Sequence, residues 1–362
     1  MTFEIHQFLP TWEQGAIGTH AFALHEMCNE AGIRCSTWAS EVRAGLGDVA
    51  GLASDYLADL APRPNSVLLY HVAVGAELGD QLMLRPEPLV LDYHNLTPPR
   101  FFDGWHPALA ENLEVGLAQV KKLASRCVLG IADSSFNASD LQLFGCARTA
   151  VAPVFMDLHK PVARELELQL QLERNSGRGT TWLFVGRIAP NKAQHEIVRA
   201  FAWYRQAYEP DAQLWLVGAG PADAYKAALV RLIERLELTH AVRIVGSVRE
   251  PDLGAYYAAA DVYVSLSQHE GFGVPLVEAM AAHLPVVAFG AAAVTETVGG
   301  AAVVIDSCDP ALVAGCVARV MRDEDLRTQL IVEGVRRASC FSRQATTDRW
   351  LDVLHQLATI VH

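Results

Sequence analysis

Two glutamates eight positions apart, Glu270 and Glu278, are the side chains whose spacing in this sequence most strongly indicates chemistry. They flank the start of a predicted helix, because Pro275 suits the first helical position, where its missing N–H would be unpaired anyway. Gly271 and Gly273 leave backbone N–H groups at this positive helix end open to phosphate. One carboxylate can therefore face sugar hydroxyls and the other ribose hydroxyls, with a diphosphate between them. The alternative is an amphipathic helix whose glutamates are only solvated.

A second pair of side chains, Arg187 and Lys192, follows a strand-like run that ends at Val185. Fixed cations stabilise negative charge most where it develops, so such a pair suits phosphate oxygens. Arginine offers a planar fork to phosphate oxygens, and lysine offers a point charge. Taken alone, the two side chains could equally be surface charges at the start of a helix.

Two histidines lie at the ends of predicted strands in the N-terminal half. His94 follows one strand and opens a proline-rich loop, and His71 ends the strand before it. Ligands bind outside the carboxyl ends of strands in doubly wound sheets, so we predict His94 as a site residue. For His71 a structural role stays open. Asn95, Thr97 and Arg100 in the following loop are candidate contacts to an acceptor.

Short apolar runs alternate with helical patterns along the chain, which is typical of parallel sheets flanked by helices. The predicted strands are Phe3–Leu9, Ser66–His71, Leu89–Tyr93, Val128–Ala132, Thr181–Val185, Gln213–Val217, Val242–Val245, Val262–Leu266 and Val286–Phe289. The predicted helices include His20–Ala31, Pro107–Leu123, His195–Gln206 and Ala222–Leu236. The fold class expected from this pattern is α/β, with two doubly wound parallel sheets.

A polar stretch with two glycines at its end separates the two halves of the pattern. We place the domain boundary near residues 160–178. This gives an N-terminal domain of residues 1–165 and a C-terminal domain of residues 178–340, each long enough for its own core.

The composition excludes several classes of protein. Of the 362 residues 51% are hydrophobic and 19% charged, which fits an ordered protein. The formal net charge is -12, and neither half carries the basic stripe of a nucleic-acid-binding protein. The acidic N-terminal half argues against strong docking on an anionic membrane. A local patch of Lys121, Lys122 and Arg126 could still make a weak peripheral contact with one.

The seven cysteines form no CxxC pair and no metal-binding pattern with histidine. Their scattered, mostly apolar surroundings predict buried free thiols in a reducing compartment. The N-terminal residues lack the pattern of a signal peptide, and no apolar run reaches the ~18 residues of a membrane span. The expected location is the cytoplasm. A peripheral contact with the inner face of the membrane would be compatible with this location.

With these motifs placed, the chain resembles the retaining glycosyltransferases of family 4 (glycosyltransferase group 1), which have the GT-B fold. The resemblance covers nearly the whole chain. It rests on the family's E-x7-E motif at Glu270 and Glu278, the segment from Phe184 to Lys192, and the strand end that begins at Gly218. It implies two Rossmann-like domains facing across a cleft, the first binding the acceptor and the second the donor. Residues 341–362 would form a helix that returns to the first domain.

The resemblance also implies roles for single residues. Those implied to be catalytic are Glu270, His94, Arg187 and Lys192. Those implied to bind the nucleotide sugar are Gly15, Gly18, Gly186, Arg187, Lys192, Gly218, Glu270, Gly271, Phe272, Gly273, Val274 and Glu278. The chain departs from the family where Gly15 and Gly18 are separated rather than adjacent, and where Val154 and Phe155 replace an Asn-Gly turn.

The implied activity is transfer of a hexose from a UDP- or GDP-linked sugar to a carbohydrate or lipid-linked glycan, with retained anomeric configuration. Cell-surface polysaccharide, lipopolysaccharide or glycolipid synthesis would be the setting. We expect no obligatory metal or other cofactor, because Arg187 and Lys192 are available for the diphosphate. The run Asp323-Glu324-Asp325 is interpreted as a solvated helix start rather than a metal site.

Three alternatives remain open at this point. A nucleotide-sugar epimerase of the same fold would need a different acid/base set from the glutamate pair. A phosphorylase would need a lysine-bound pyridoxal phosphate, which no segment indicates. A catalytically silent homologue would bind nucleotide sugars as a subunit, without turnover.

Overall fold

The computed structural model of the chain describes residues 3–13, 15–43, 49–59, 61–175 and 179–361, with the side chains of 174 and 175 left out. The chain divides into two compact units. The first unit comprises Met1–Pro99, Ala108–Met156 and Phe341–His362, and the second comprises Arg100–Pro107 and Asp157–Cys340.

A seven-stranded parallel sheet forms the centre of the first unit. Its strands are β1 (Glu4–Trp12), β2 (Cys35–Val42), β3 (Ala50–Leu52), β4 (Ser66–Val72), β5 (Leu89–Tyr93), β6 (Leu129–Ala132) and β7 (Thr149–Val151). They lie in the order β3-β2-β1-β4-β5-β6-β7, and every neighbouring pair is parallel. The order reverses between β1 and β4, which is the switch point of a doubly wound sheet.

The second unit has a six-stranded parallel sheet. Its strands are β8 (Thr181–Val185), β9 (Gln213–Val217), β10 (Val242–Gly246), β11 (Val262–Ser265), β12 (Val286–Phe289) and β13 (Val303–Ile305). They lie in the order β10-β9-β8-β11-β12-β13, again with parallel neighbours. Here the order reverses between β8 and β11.

Helices cover both sheets. In chain order they are α1 (Ala16–Glu30), α2 (Ala53–Ala58), α3 (Glu77–Met83), α4 (Pro107–Arg126), α5 (Ser135–Leu143), α6 (Arg164–Asn175), α7 (Gln194–Ala207), α8 (Asp223–Arg235), α9 (Glu250–Ala259), α10 (Val274–Ala281), α11 (Val294–Val298), α12 (Pro310–Arg322), α13 (Glu324–Ser339) and α14 (Arg343–Val361).

Alternation along the strands of the first unit builds two separate cores. Phe8, Leu68 and Leu91 point to the face that α2, α3, α4 and α5 cover. Ile5 and Val90 point to the other face, where α1 and α14 pack. Successive strand side chains face opposite sides, so strands buried on both faces are apolar almost throughout. This is why their sequences were recognisable as short apolar runs.

The predicted two-sheet α/β organisation is confirmed, and each of the nine predicted strands coincides with an observed one to within a few residues. The prediction missed β2, β3, β7 and β13. β2 has two polar pairs, Ser-Thr and Ser-Glu, among its eight residues, and the other three have only three residues each. β3, β7 and β13 are edge strands and β2 lies next to an edge, so one partner strand is absent or short and their sequences carry a weaker apolar signal.

The division of the chain differs in two places from the boundary placed near residues 160–178. The first unit ends at Met156, and Asp157 onward belongs to the second unit. Arg100–Pro107 also belongs to the second unit. The residues from Phe341 onward belong to the first unit, where Trp350 of α14 donates a hydrogen bond to the carbonyl of Pro153 at 3.0 Å.

All seven cysteines are free thiols. Four of them are buried, whereas Cys308 and Cys316 are half-buried and Cys340 is exposed, so the expectation of burial holds for only part of the set. Among the helices described, none has the length and apolarity that crossing a membrane requires.

Candidate functional site

The loops that carry the predicted cations and carboxylates leave two adjacent strands of the second sheet. The loop after β8 contains Arg187 and Lys192, and the loop after β11 contains Glu270. β8 and β11 pair with each other at the switch point. In doubly wound sheets this edge is where the crevice for a ligand opens.

Lys192 and Glu270 form an ion pair between these two loops. Nζ of Lys192 lies 2.6 Å from Oε2 of Glu270, and the two side chains are only 14% and 13% exposed. The backbones are also joined, since the N–H of Gln268 donates to the carbonyl of Asn191 at 2.8 Å. The structure therefore brings the predicted phosphate-binding lysine and the predicted sugar-binding carboxylate together.

Arg187 lies two residues after the end of β8, in the same loop as Lys192. Its side chain is exposed. Its carbonyl accepts a hydrogen bond from Nε2 of Gln194 at 2.8 Å, which ties the loop to the start of α7. Among the residues described, none of the ion pairs involves Arg187, so its guanidinium can reach an anionic ligand without leaving a described carboxylate.

Glycines allow the ends of β8 and β9 to approach closely. A Cβ atom at Gly218 would overlap the carbonyl oxygen of Gly186, and one at Gly220 would overlap that of Ile188. The N–H of Gly186 donates to the carbonyl of Val217 at 3.0 Å, so the close approach is hydrogen-bonded. Gly218 and Gly220 are therefore required by backbone packing, whereas a Cβ atom at Gly186 would meet the ring of Phe184 at 3.0 Å.

The helix after Glu270 begins at Val274, one residue earlier than predicted, and Pro275 occupies its second position. Gly273 precedes it with a φ of 94°, a left-handed conformation that favours glycine, and no side chain caps the helix. The hydroxyl of Thr297 donates to the carbonyl of Phe272 at 2.5 Å and anchors the loop from behind. Gly273, as the residue before the helix, therefore contributes no side-chain cap to this positive helix end.

Glu278 lies within α10 and is held by two donors. The hydroxyl of Tyr257 donates to Oε2 at 2.8 Å, and Nζ of Lys160 lies 3.0 Å from Oε1. Both partners line a cavity of about 270 Å³ together with Glu278. The buried Tyr257 beside this carboxylate has a pKa raised well above its usual value, by burial first and by Glu278 second. No contact described joins Glu278 directly to Glu270.

In the first unit the loop after β1 is shorter than predicted. Gly15 is the residue before α1, and the N–H of Thr19 donates to its carbonyl at 2.8 Å. Gly18 is buried inside the first turn of α1, so it is a helical residue and not part of a glycine-rich loop. The helix starts four residues before the predicted His20 because a single glycine is tolerated in an otherwise apolar, periodic run.

His94 belongs to a buried cluster of histidines and carboxylates, which we call the histidine cluster. Oδ2 of Asp92 lies 2.9 Å from Nε2 of His20, 3.0 Å from Nδ1 of His71 and 3.3 Å from Nε2 of His94. Nδ1 of His94 lies 3.1 Å from Oδ1 of Asp133. Nδ1 of His71 and Nε2 of His94 are 3.2 Å apart.

Backbone and amide partners determine where the protons lie in two of these rings. The N–H of Phe155 donates to Nδ1 of His20 at 3.0 Å, so the proton of a neutral His20 is on Nε2 and faces Asp92. The side-chain NH2 of Gln7 donates to two oxygen atoms, which leaves its oxygen to accept from Nε2 of His71 at 3.0 Å. His71 therefore presents an unprotonated Nδ1 to His94.

These partners leave His94 with an acceptor at each ring nitrogen, which is the arrangement that favours the imidazolium form. Burial lowers the pKa of His94, but the carboxylates of Asp92 and Asp133 outweigh it and hold this pKa well above its usual value. Burial lowers the pKa of His71 to about 4, so that ring is neutral. Burial raises the pKa of Asp133. Because both ring nitrogens of His94 are engaged here, a hydrogen bond to a sugar would require one of them to change partner.

The histidine cluster includes the residues best placed to hold a metal ion among those described. His20, His71, Asp92 and His94 offer four ligand atoms within 4.8 Å of one another. A metal at this point would need the lone pair of Nε2 on His20, yet the N–H of Phe155 places a proton there. The observed hydrogen bonds therefore fit an ion-paired network, and they do not fit a metal centre.

The roles of Gln7, His20 and Asp133 in this cluster were not anticipated from the sequence. Asp133 directly follows the carboxyl end of β6 and His20 lies near the start of α1, the helix after β1, whereas Gln7 lies inside β1 and carries no such positional signal. The run Asp323-Glu324-Asp325 lies at a helix start, as predicted. Asp323 caps α13 by accepting a hydrogen bond from the N–H of Leu326 at 3.0 Å.

Comparison with known proteins agrees with this geometry. Residues 171–337 match the family described as "Glycosyl transferases group 1". A similar curated protein is the D-inositol 3-phosphate glycosyltransferase of Thermomonospora curvata, 37% identical over 180 residues, which are 47% of this chain and 41% of that protein. The chain thus spans less than half the length of this curated relative.

Solved structures match over almost the whole chain. The sucrose-phosphate synthase of Thermosynechococcus elongatus superposes with a TM-score of 0.76 at 20% identity, covering 98% of this chain and 99% of that one. The Anabaena protein HepE, in complex with UDP-glucose, superposes with a TM-score of 0.74 at 20% identity, covering 97% and 99%. These likenesses confirm the predicted fold class, GT-B with two Rossmann-like domains. The family match and the paired Lys192 and Glu270 loops lie in the same part of the chain, and residues 171–337 are a domain of the glycosyl transferases group 1 family.

Proposed function

We propose that this protein transfers a hexose from a UDP- or GDP-linked sugar to a hydroxyl acceptor with retained anomeric configuration. The observation that carries the proposal is the 2.6 Å pair of Lys192 and Glu270 at the switch point of the second sheet. There a cation, a carboxylate and a helix N-terminus without a side-chain cap meet within the family domain. This combination suits a sugar beside a diphosphate.

In the proposed reaction the donor diphosphate replaces Glu270 as the ion-pair partner of Lys192. Nζ of Lys192 and the guanidinium of Arg187 then neutralise the charge that grows on the leaving diphosphate. Glu270, released from its ion pair, accepts hydrogen bonds from hydroxyls of the sugar. The acceptor hydroxyl attacks on the face from which the diphosphate departs, and an oxygen of that phosphate takes its proton.

Glu278 would hold the ribose of the donor. Lys160 and Tyr257 fix its carboxylate by one contact to each oxygen. Each carboxylate oxygen has a second lone pair for a ribose hydroxyl. In this proposal the two contacts orient Glu278 and do not compete with the nucleotide.

Several features guide the choice of donor and acceptor. HepE binds UDP-glucose, which makes UDP the first nucleotide to test. As acceptor we propose a carbohydrate or a lipid-linked glycan, in polysaccharide or glycolipid synthesis. We also propose that no metal or other cofactor is obligatory. For a weak membrane contact, Lys121 and Lys122 are exposed on α4, whereas Arg126 is half-buried and donates to the carbonyl of Arg85.

A thermal-shift screen with UDP, GDP and ADP and their sugar conjugates, in the presence of EDTA, tests the proposal. Ligand that binds only the folded state raises the melting temperature according to RT ln(1 + [L]/Kd). We expect one nucleotide to produce a shift that Arg187→Ala abolishes. Arg336→Ala is the matched control, because Arg336 is 75% exposed and pairs only locally with Glu333.

Glu270→Gln separates binding, measured by the same thermal shift, from turnover, measured by the release of nucleoside diphosphate in the presence of acceptor. The substitution removes the carboxylate that neutralises Lys192, so nucleotide binding should stay equal or become tighter while nucleotide release with acceptor falls. Full turnover in this variant would remove Glu270 from the mechanism. A nucleotide shift without turnover for any acceptor would favour the silent subunit, and interconversion of the donor sugar without acceptor would favour the epimerase. No shift with any nucleotide would overturn the proposal.

A further inference from the structure

A second pocket of the second unit lies beside the donor loops and has no part in the reaction proposed above. Its volume is about 400 Å³, within the range of small-ligand sites. The segment Arg100–Pro107 forms one side, and Pro190 and Gln268 line another. Each of these two residues lies two positions before a member of the Lys192–Glu270 pair. The pocket is therefore a neighbour of the predicted sugar and diphosphate positions.

Aromatic and aliphatic side chains form the inner wall of this pocket. Trp105 packs edge-on against Tyr225 with ring centroids 5.3 Å apart, and Phe101, Leu229 and Leu232 complete the surface. Trp105 remains 37% exposed. An exposed indole next to a buried phenol ring offers an apolar face to a ring-shaped or hydrocarbon group.

Three guanidinium groups surround that wall. Arg100, Arg199 and Arg235 line the pocket, and no carboxylate does so among the residues described. The nearby Glu196 lies 3.1 Å from Nη1 of Arg199 and neutralises only that one of the three. His195 adds no charge, because burial lowers its pKa. Arg100 and Arg235 therefore leave the pocket with an excess of positive charge in a chain whose net charge is -12.

We infer that this pocket binds a phosphate ester attached to an apolar or ring-shaped group, and that this is the anionic part of the acceptor. Guanidinium groups match the geometry of phosphate oxygens, and the aromatic wall matches the group that carries the phosphate. The adjacency to Lys192 and Glu270 would bring a hydroxyl of the same molecule to the donor sugar. The name acceptor rests on the proposed function, whereas the phosphate site does not.

Calorimetric titration with phenyl phosphate, a small aromatic phosphate ester, tests the inference. The titration is made with the full chain at low salt and saturating UDP, so that the donor site is blocked. Arg100→Gln and Arg235→Gln should each weaken binding by roughly tenfold, the cost of a charge-assisted hydrogen bond. Arg231→Gln is the matched control, since Arg231 is exposed on the same helix α8 one turn earlier and does not line the pocket.

Two further pairs of ligands define what the pocket recognises. Phenol has the aromatic ring of the probe without its phosphate, and inorganic phosphate lacks the ring. Both should bind more weakly than phenyl phosphate. Glucose 6-phosphate and farnesyl phosphate separate the two sources of the same chemistry. Tighter binding of the first points to a sugar phosphate acceptor, and tighter binding of the second points to a lipid-linked one.

The outcomes separate this inference from the proposed function. Equal binding of phenyl phosphate by the wild type and the two arginine variants, or no binding by a wild type that binds UDP, overturns the pocket and leaves the donor site intact. Binding that depends on Arg100 and Arg235 in a protein that binds no nucleotide upholds the phosphate site and overturns glycosyl transfer. Because both arginines are exposed, the variants should melt with the wild type, which a thermal scan without ligand checks.

Discussion

At the scale of single residues, the charge of His94 depends on neighbours from four different elements. Asp92 comes from β5, Asp133 from the end of β6, His71 from β4 and His20 from α1. Asp92 is two residues from His94, whereas His71, Asp133 and His20 are too far along the chain to be paired with it by local spacing. The cluster turns a histidine at a strand end into a buried cation held between two carboxylates, which an isolated strand-end histidine would not be.

Unfolding experiments at several pH values test this charge state. A pKa that is higher in the folded than in the unfolded state stabilises the protein fully below the unfolded value, about 6.5, and this stabilisation is lost as the pH rises through the folded value. The free energy of unfolding should therefore fall by up to about 1.4 kcal/mol per pH unit above that point. Urea unfolding at pH 6 to 9 should show this slope in the wild type and not in His94→Gln.

His355→Gln provides the control for this experiment, because His355 is exposed on α14 and should leave the slope unchanged. His94→Gln will also lower stability at every pH, since it changes a buried group, so only the difference in slope is diagnostic. Parallel curves for the wild type and His94→Gln would show that His94 is not held as a cation.

At the scale of elements, the ends of β8 and β9 can approach each other closely because glycines, which have no side chain, stand at the points of contact. Gly220 has no room for a Cβ atom against the carbonyl of Ile188, and Gly218 combines the same problem with a φ of 134°. Gly246 has a φ of 85° but open space around it. Gly220 therefore shows steric overlap alone, Gly246 shows backbone strain alone, and Gly218 shows both.

Alanine substitutions at these positions should rank in a defined order. Gly246→Ala should cost about 1–2 kcal/mol for the left-handed backbone. Gly220→Ala should cost more, because a backbone carbonyl must move, and Gly218→Ala should cost most. Gly315→Ala in α12 should be neutral or stabilising, since its nearest neighbour would be at an ordinary 3.5 Å. Urea unfolding measures all four. A larger loss for Gly246→Ala than for Gly220→Ala would contradict the argument.

At the scale of the whole molecule, the first unit is assembled from three stretches of chain. The polypeptide leaves it at Met156 and returns at Phe341, and α14 then covers one face of its sheet. Trp350 is fully buried there, with its ring 5.3 Å from that of His20 and its N–H bonded to Pro153. The first unit thus has a core that is complete only when the second unit has been synthesised.

Trp350→Ala should destabilise the first unit by about 3–5 kcal/mol, the usual cost of emptying a large core site. Hydrogen exchange should then speed up in β1, β4 and β5 and remain unchanged in β8 and β9. Trp203→Ala is the matched control, because Trp203 is 49% exposed on α7. Equal acceleration in both sheets, or an equal loss of stability in both variants, would show that α14 does not act mainly on the first unit.

The sequence by itself determined the α/β class, nine strands and the motif of Glu270 and Glu278. Strands buried on both faces must be apolar, and Glu270, Lys192 and the glycines between strands and helices lie on short loops whose position follows from the strands. The same local signals were too weak for β2 and the three-residue strands. They also placed Gly18 in a loop, although it lies in α1.

Only the tertiary structure decided which of these residues meet. The contacts of Lys192 with Glu270, of Lys160 with Glu278 and of His94 with Asp133 join positions 39 to 118 residues apart. Parallel strands bring their carboxyl ends together in the order of the sheet and not in the order of the chain. Protonation depends on the same neighbours, because burial and nearby charge set a pKa. The sequence therefore identified the chemical groups, whereas their partners and charges were set by strand order and packing.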